Sequence, residues 1–144
     1  MPGKFISFKA DLNNFYRRVD RLKRPVQQSA FRLTADLALE LLILVVNQTP
    51  VDTGRARAGW RLTSNPGSHW KPGPKGPYPN QDELTAAQRA RLDPDRDRPA
   101  VYLINNVEYI VPLEMGHSRQ APAGMVRTGL DFLRAKAAGR KGKP

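Results

Sequence analysis

The chain contains no cysteine and only two histidines, His69 and His117, in its 144 residues. The first absence excludes a disulfide framework and any thiolate metal site. The second leaves a zinc site short of ligands unless carboxylates complete it, so a metalloenzyme is not expected. Long apolar runs are missing too. The most apolar stretch, Leu37 to Val46, is ten residues interrupted by Glu40, against about 20 for a membrane-spanning helix. Met1 to Lys9 is too mixed and too poor in apolar residues to read as a secretion signal. The expectation is a soluble chain made and used in the cytoplasm.

Acids are scarce. Thirteen Asp and Glu face twenty-four Lys and Arg, a formal charge of +11 that favours an anionic partner: nucleic acid, an acidic protein surface or a membrane face. Apolar residues reach 40%, under the roughly 45–50% of soluble domains, and thirteen prolines and eleven glycines push much of the chain into loops. A chain of this length supports one core, hardly two. Residues 1–138 therefore read as a single domain and 139–144 as a disordered basic tail.

Phe8, Leu12, Phe15, Tyr16, Val19 and Leu22 recur three and four apart with cations between them, the pattern of an amphipathic helix. Pro25 is expected to end or kink it, and a second helix is expected over 26–47. QTPVDTG at 48–54 then stops the helix at Pro50. There Asp52 or Thr53 can accept backbone amides, and Gly54 can take positive φ. Ala58 to Thr63 suits a strand. Between 65 and 80, eight of sixteen positions are Pro or Gly, so 65–98 reads as one long excursion without its own core, carrying a polar, more solvated than packed helix near 83–92. Ala100 to Asn105 is the strongest strand candidate, closed by a turn at Asn105 and Asn106. Val107 to Met115 suits either a short helix or an edge strand, and 125–138 a closing helix. The fold class expected is α+β: long N-terminal helices and a C-terminal helix packed on a small antiparallel sheet.

Two segments, TPVDTGRARAGW at 49–60 and NNVEYIVPLEMGHSRQAPAGMVR at 105–127, resemble the paired signatures of the phage tail-component family. Its members are tail-completion, or head-tail joining, proteins of long-tailed bacteriophages. Pro50, Val51, Asp52, Thr53, Gly54 and Arg57 match the first signature, although Ala56 stands where a larger apolar residue is common. Asn105, Tyr109, Glu114 and Gly116 match the second. The order of elements agrees over roughly residues 10–135, with the Pro-rich excursion as the departure. The resemblance implies a non-enzymatic virion protein of the tail or neck, assembled in the host cytoplasm as a homo-oligomer, a hexameric ring. It would be a tail terminator or head-side adaptor that meets other neck, tail-tube or head-connector proteins. It implies no catalytic residue, no cofactor and no metal.

The residues can also be weighed without the resemblance. The VDTG segment is foremost a structural turn; its other reading is an anion-binding nest of amides beside Arg55 and Arg57. Asp52, Glu108, Glu114 and His117 could be imagined as acid-base groups, yet no nucleophile or metal set accompanies them. The plainer role has Glu114 and Gly116 fixing a turn, with Glu114 paired to Arg119 or Arg127. Trp60, Tyr102 and Tyr109 suit core or interface packing. Trp70 and Tyr78, in a loop without a core, suit anchors for a neighbouring subunit. Arg55, Arg61, Lys71, Lys75, Arg140, Lys141 and Lys143 are the candidate contacts to an acidic partner or to DNA phosphates, non-specific because no recognition motif accompanies them. The rival reading is accordingly a small basic nucleic-acid-binding protein.

Overall fold

The computed structural model describes residues 8–65, 67–74, 81–92 and 100–140, with the side chains of 8–13, 81–83 and 140 excepted. Helix α1 (Phe8–Gln48) is followed by a single helical turn α2 (Arg55–Ala58) and strand β1 (Arg61–Thr63). Then come α3 (Gln81–Arg89), β2 (Tyr102–Ile104), α4 (Ile110–Glu114) and α5 (Val126–Arg140). The two strands pair antiparallel, with Leu62 opposite Leu103. The fold is α+β: a long first helix against which both a small two-stranded sheet and the closing helix pack. No helix among the described residues is long and apolar enough to cross a membrane.

The core lies under the last turns of α1. Leu39, Leu42, Val45 and Val46 meet Trp60 and Leu62 from the β1 segment and Ala121 and Met125 from the approach to α5. Leu42, Leu62 and Met125 are fully buried, each worth about 1.5–3 kcal/mol of apolar transfer. Helix α5 crosses α1 at Gly129, where an added Cβ would stand 2.9 Å from Leu41 Cδ1. An ion pair between Lys136 and Glu40 ties the same two helices.

A buried polar relay sits inside this core. Thr49 Oγ1 donates to the Val45 carbonyl at 2.6 Å and accepts the Trp60 indole N–H at 2.8 Å, so the large Trp60 ring is buried with its one polar atom satisfied. The relay pins the end of α1 to the segment entering β1.

Several sequence expectations need correction. Pro25 does not end a helix: α1 runs through it as one element of 41 residues. Every side chain from 14 to 30 except Val19 is exposed, so water solvates the carbonyl that the missing Pro25 amide leaves without a partner. The expected strand at 58–63 is shorter, because Ala58 belongs to α2 and only Arg61–Thr63 pairs. The Val107–Met115 segment resolves as helix α4, with Pro112 in its first turn, where no amide is needed.

Helix α3 is docked rather than solvated. Leu84 and Leu92 pack against the core, and Gln88, 3% exposed, accepts the Leu62 amide at 2.8 Å, in the place a third strand would take in the two-stranded sheet of the described residues. The excursion is not wholly without support either, since residues 67–74 are held by side chains described below. Of the tail expected at 139–144, Gly139 and Arg140 continue α5, and 141–144 lie outside the described residues.

Replacing Thr49 by Val keeps its shape but strands the buried indole N–H. Thr49→Val is expected to lower the unfolding free energy by about 1–3 kcal/mol, measured by urea denaturation, with Trp60 fluorescence shifting in the native state.

Candidate functional site

The PVDTG segment turns the chain from α1 into α2. Gly54 takes φ 78°, a conformation that disfavours any side chain, and Thr53 Oγ1 accepts the Arg55 amide at 3.4 Å. Thr53 rather than Asp52 supplies the acceptor anticipated for this turn. Arg57 reaches back to α1, which has no basic residue in its last turn. Its Nε donates to the Thr49 carbonyl at 2.7 Å and a terminal nitrogen to the Asn47 carbonyl at 3.3 Å. The guanidinium thus satisfies orphan carbonyls at the negative end of the helix dipole.

The second segment is joined to the first by Asn105. Its amide nitrogen donates to the Ala56 carbonyl at 2.8 Å, while its oxygen accepts the Val107 amide at 3.1 Å and so makes the turn after β2. Gly59 gives this junction its room: a Cβ there would lie 2.5 Å from Asn105 Oδ1. A second bridge runs from the Val51 amide to Gln120 Oε1, 3.2 Å.

Glu114 does not pair its carboxylate with Arg119 or Arg127. It accepts the amides of Met125 at 2.8 Å, Val126 at 2.9 Å and Arg127 at 3.0 Å, capping the first turn of α5 with a full negative charge. The Arg127 guanidinium donates instead to the Glu114 main-chain carbonyl at 3.1 Å. This packing is possible because Gly124, at φ 80°, has no Cβ; one would stand 2.5 Å from the Glu114 carbonyl oxygen. Gly116, at φ 86°, faces the Pro122 carbonyl in the same way, with a Cβ 2.4 Å away.

Together the segments enclose an open cleft of about 430 Å³ between the PVDTG turn and the 117–120 loop. Val51, Asp52, Arg55, Tyr109, His117 and Arg119 are among its walls. Tyr109 is 40% exposed and Tyr102 38%, so of the three aromatics expected to pack, only Trp60 is in the core. Among the described residues no group of three or more His, Cys, Asp or Glu is placed to hold a metal ion. The cleft carries cations and an aromatic rim, an arrangement suited to binding.

The middle basic residues are largely engaged within the chain. Lys71 Nζ and an Arg55 terminal nitrogen both reach the Glu108 carboxylate, at 2.8 and 3.1 Å. Arg61 lies over the Trp70 ring, 3.1 Å from its centroid; burial and the neighbouring Arg91 lower its pKa from 12.5 to about 10. The Asn106 amide nitrogen donates to the Ser68 and Trp70 carbonyls, both at 2.9 Å. Trp70 is therefore half-buried against its own chain. Tyr78, Lys75, Lys141, Lys143 and the Arg140 side chain lie outside the described residues.

Asn106, Gln120 and the joint use of Glu108 are roles that the sequence reading missed. The Asn105–Asn106 pair was a visible signal for one turn, but nothing in the sequence shows that the second amide would hold a loop 36 residues away. Gln120 has no local pattern to mark it.

Two expectations follow. Glu114→Ala removes the charged cap from three amides and is expected to cost about 1–3 kcal/mol of stability, with Glu114→Gln costing less; thermal and urea unfolding measure both. Glu108 is held at a pKa of about 2 instead of 4.5, first by its hydrogen bond from Lys71, then by its own backbone amide, with Arg55 adding attraction. A lowered carboxylate pKa stabilises the folded state fully above pH 4.5, and the effect is lost as pH falls toward 2. Carboxyl NMR should give a Glu108 midpoint near 2, and Lys71→Gln should raise it.

No protein-family model matches the sequence, and neither a curated protein nor a solved structure matches the chain.

Proposed function

We propose that the chain is a structural subunit of a tailed bacteriophage, a tail-completion or head-tail joining protein that works as part of a ring at the neck. The observation that carries this reading is the lock between its two signature segments, the Asn105 amide on the Ala56 carbonyl. Residues 45 positions or more apart in sequence, singled out for their resemblance to one family, form one structural unit. A chance likeness in two unrelated loops gives no reason for them to meet.

The unit is shaped for contact rather than catalysis. Tyr109 is 40% exposed at the cleft rim and Val51 43%; α4 presents Val111 at 61% and Met115 at 65%, one turn apart. Large apolar side chains left in water at such positions are what subunit interfaces cover. In a cyclic ring each copy offers two different surfaces to its neighbours, and this α4 edge serves as one of them. Phosphates of DNA passing through the lumen would meet the exposed Arg17, Arg21 and Arg24 of α1 rather than Arg55, Arg61 and Lys71, which are engaged within the chain. The same pairing counts against a dedicated nucleic-acid-binding protein.

Light scattering on the purified chain, alone and with connector or tail-tube partners, is expected to show a closed ring. Val111→Glu with Met115→Glu should reduce it to monomers. In the phage, deleting the gene should leave filled heads separate from tails in micrographs. Intact infectious particles from that deletion would refute the reading.

A further inference from the structure

Helix α1 has two apolar faces, and the body of the protein uses only one. Phe31, Ala35, Leu39, Leu42 and Val46 are buried. At 100° per residue they cluster on one side. Phe15, Val19, Leu22, Val26 and Leu33 fall within about 60° of each other on the side roughly 180° away. Phe15, Leu22, Val26 and Leu33 are 59%, 74%, 69% and 61% exposed. The stripe continues to Leu37, 44% exposed, and spans about 33 Å of helix.

Its spacing is four, three, four and seven, with Ser29 at the intermediate site. That is a heptad seam with Val19, Val26 and Leu33 at one position and Phe15, Leu22 and Ser29 at the other. A seam this narrow is what a partner helix covers, whereas a helix lying flat on a broad apolar surface carries a stripe of about 100° or more.

The flanks of the seam choose the partner. Tyr16, Lys23 and Ala30 line one edge and Arg18, Pro25 and Arg32 the other, with no acid on either. Between residues 14 and 33 six cations stand against Asp20 alone. Two copies paired in parallel would set Arg18 against Lys23. Paired antiparallel, they would set Arg18 against Arg32 and Lys23 against itself. Self-pairing along this seam is repulsive in both directions.

We infer that the outer stripe of α1 is the docking site for an amphipathic helix of a different protein, apolar along its seam and carrying Glu or Asp on both flanks. The partner's apolar side chains supply the affinity, and its acids, set against Arg18, Lys23 and Arg32, supply the selectivity. The inference does not rest on the neck reading, because it concerns a face of the chain other than the α4 edge.

The test uses the full chain and two synthetic peptides of about four heptads, both with Leu along the seam. One has Glu at both flanks and the other Lys. Fluorescence anisotropy at low salt is expected to show binding of the Glu peptide, weakening as salt is raised, and at least about ten-fold weaker binding of the Lys peptide. Leu22→Glu with Val26→Glu should abolish Glu-peptide binding while circular dichroism and the unfolding midpoint hold, since both residues are exposed. Equal binding of the two peptides, or binding of neither, overturns the inference. So does a wild-type oligomer that the Leu22→Glu, Val26→Glu variant dissolves, or retention on anionic vesicles that this variant removes. Ring formation is read separately by mass, with the α4 variant as its control.

Discussion

The Glu114 carboxylate is the junction on which much of the body depends. The first amides of a helix have no partner within it, and α5 begins in the interior, beside a fully buried Met125. Three of those amides converge on one carboxylate from a residue eleven to thirteen positions earlier. The bond fixes the start of α5 relative to the end of α4 and forces the chain between them to fold back through Gly116 and Gly124. From that start α5 reaches α1 at Gly129. The Glu-x-Gly spacing of the second signature therefore has a mechanical meaning: acid for the cap, glycine for the return.

The first signature works at the other end of the same core. Arg57 serves the carbonyl end of α1 much as Glu114 serves the amide end of α5, each with the charge that the local helix dipole favours. Thr49 and Trp60 add a buried hydrogen bond across this turn. Asn105 then binds the turn to the chain leaving β2, so the two caps are linked through side-chain amides rather than through a large sheet. With two three-residue strands, the sheet alone could not hold the parts together.

The helical character of the α1, α3 and α5 segments, the 102–104 strand and the positive φ of Gly54 were legible because each rests on local spacing or on a conformational preference of one residue. Helix α2 was not anticipated, and the α4 segment suited helix and strand alike. What was not legible depends on partners distant in sequence. Pro25 reads as a helix breaker wherever neighbours must pack, but here it sits in an exposed stretch of one continuous helix, where its ring meets no packed neighbour among the described residues. Gln88 reads as a solvated residue because nothing near it announces that β1 lacks a partner on that side. Glu114 suggested an ion pair, since carboxylates beside arginines usually read so. Its true partners are backbone amides, which carry no letter in the sequence. The cations at 55, 61 and 71 looked like a patch, and only the placement of Glu108 and Trp70 shows where their charge is spent.

That placement changes what the net charge means. With Arg55, Arg61 and Lys71 engaged by Glu108 and Trp70, the excess positive charge that remains open to partners on the described chain is concentrated along the projecting half of α1, where Asp20 is the lone acid from 14 to 33. The same segment exposes a seam of large apolar side chains on the face its own body does not use. Folding does not require that seam: the core closes at Phe31 and beyond, and Phe15, Leu22 and Val26 before it leave apolar surface in water at a cost of about 25 cal/mol per Å². A helix extended past its own core, apolar on one edge and cationic around it, carries the surface on which the proposed partner helix would dock. The chain thus combines a body whose helices are tied at the two caps with an arm whose outer stripe its own core leaves uncovered.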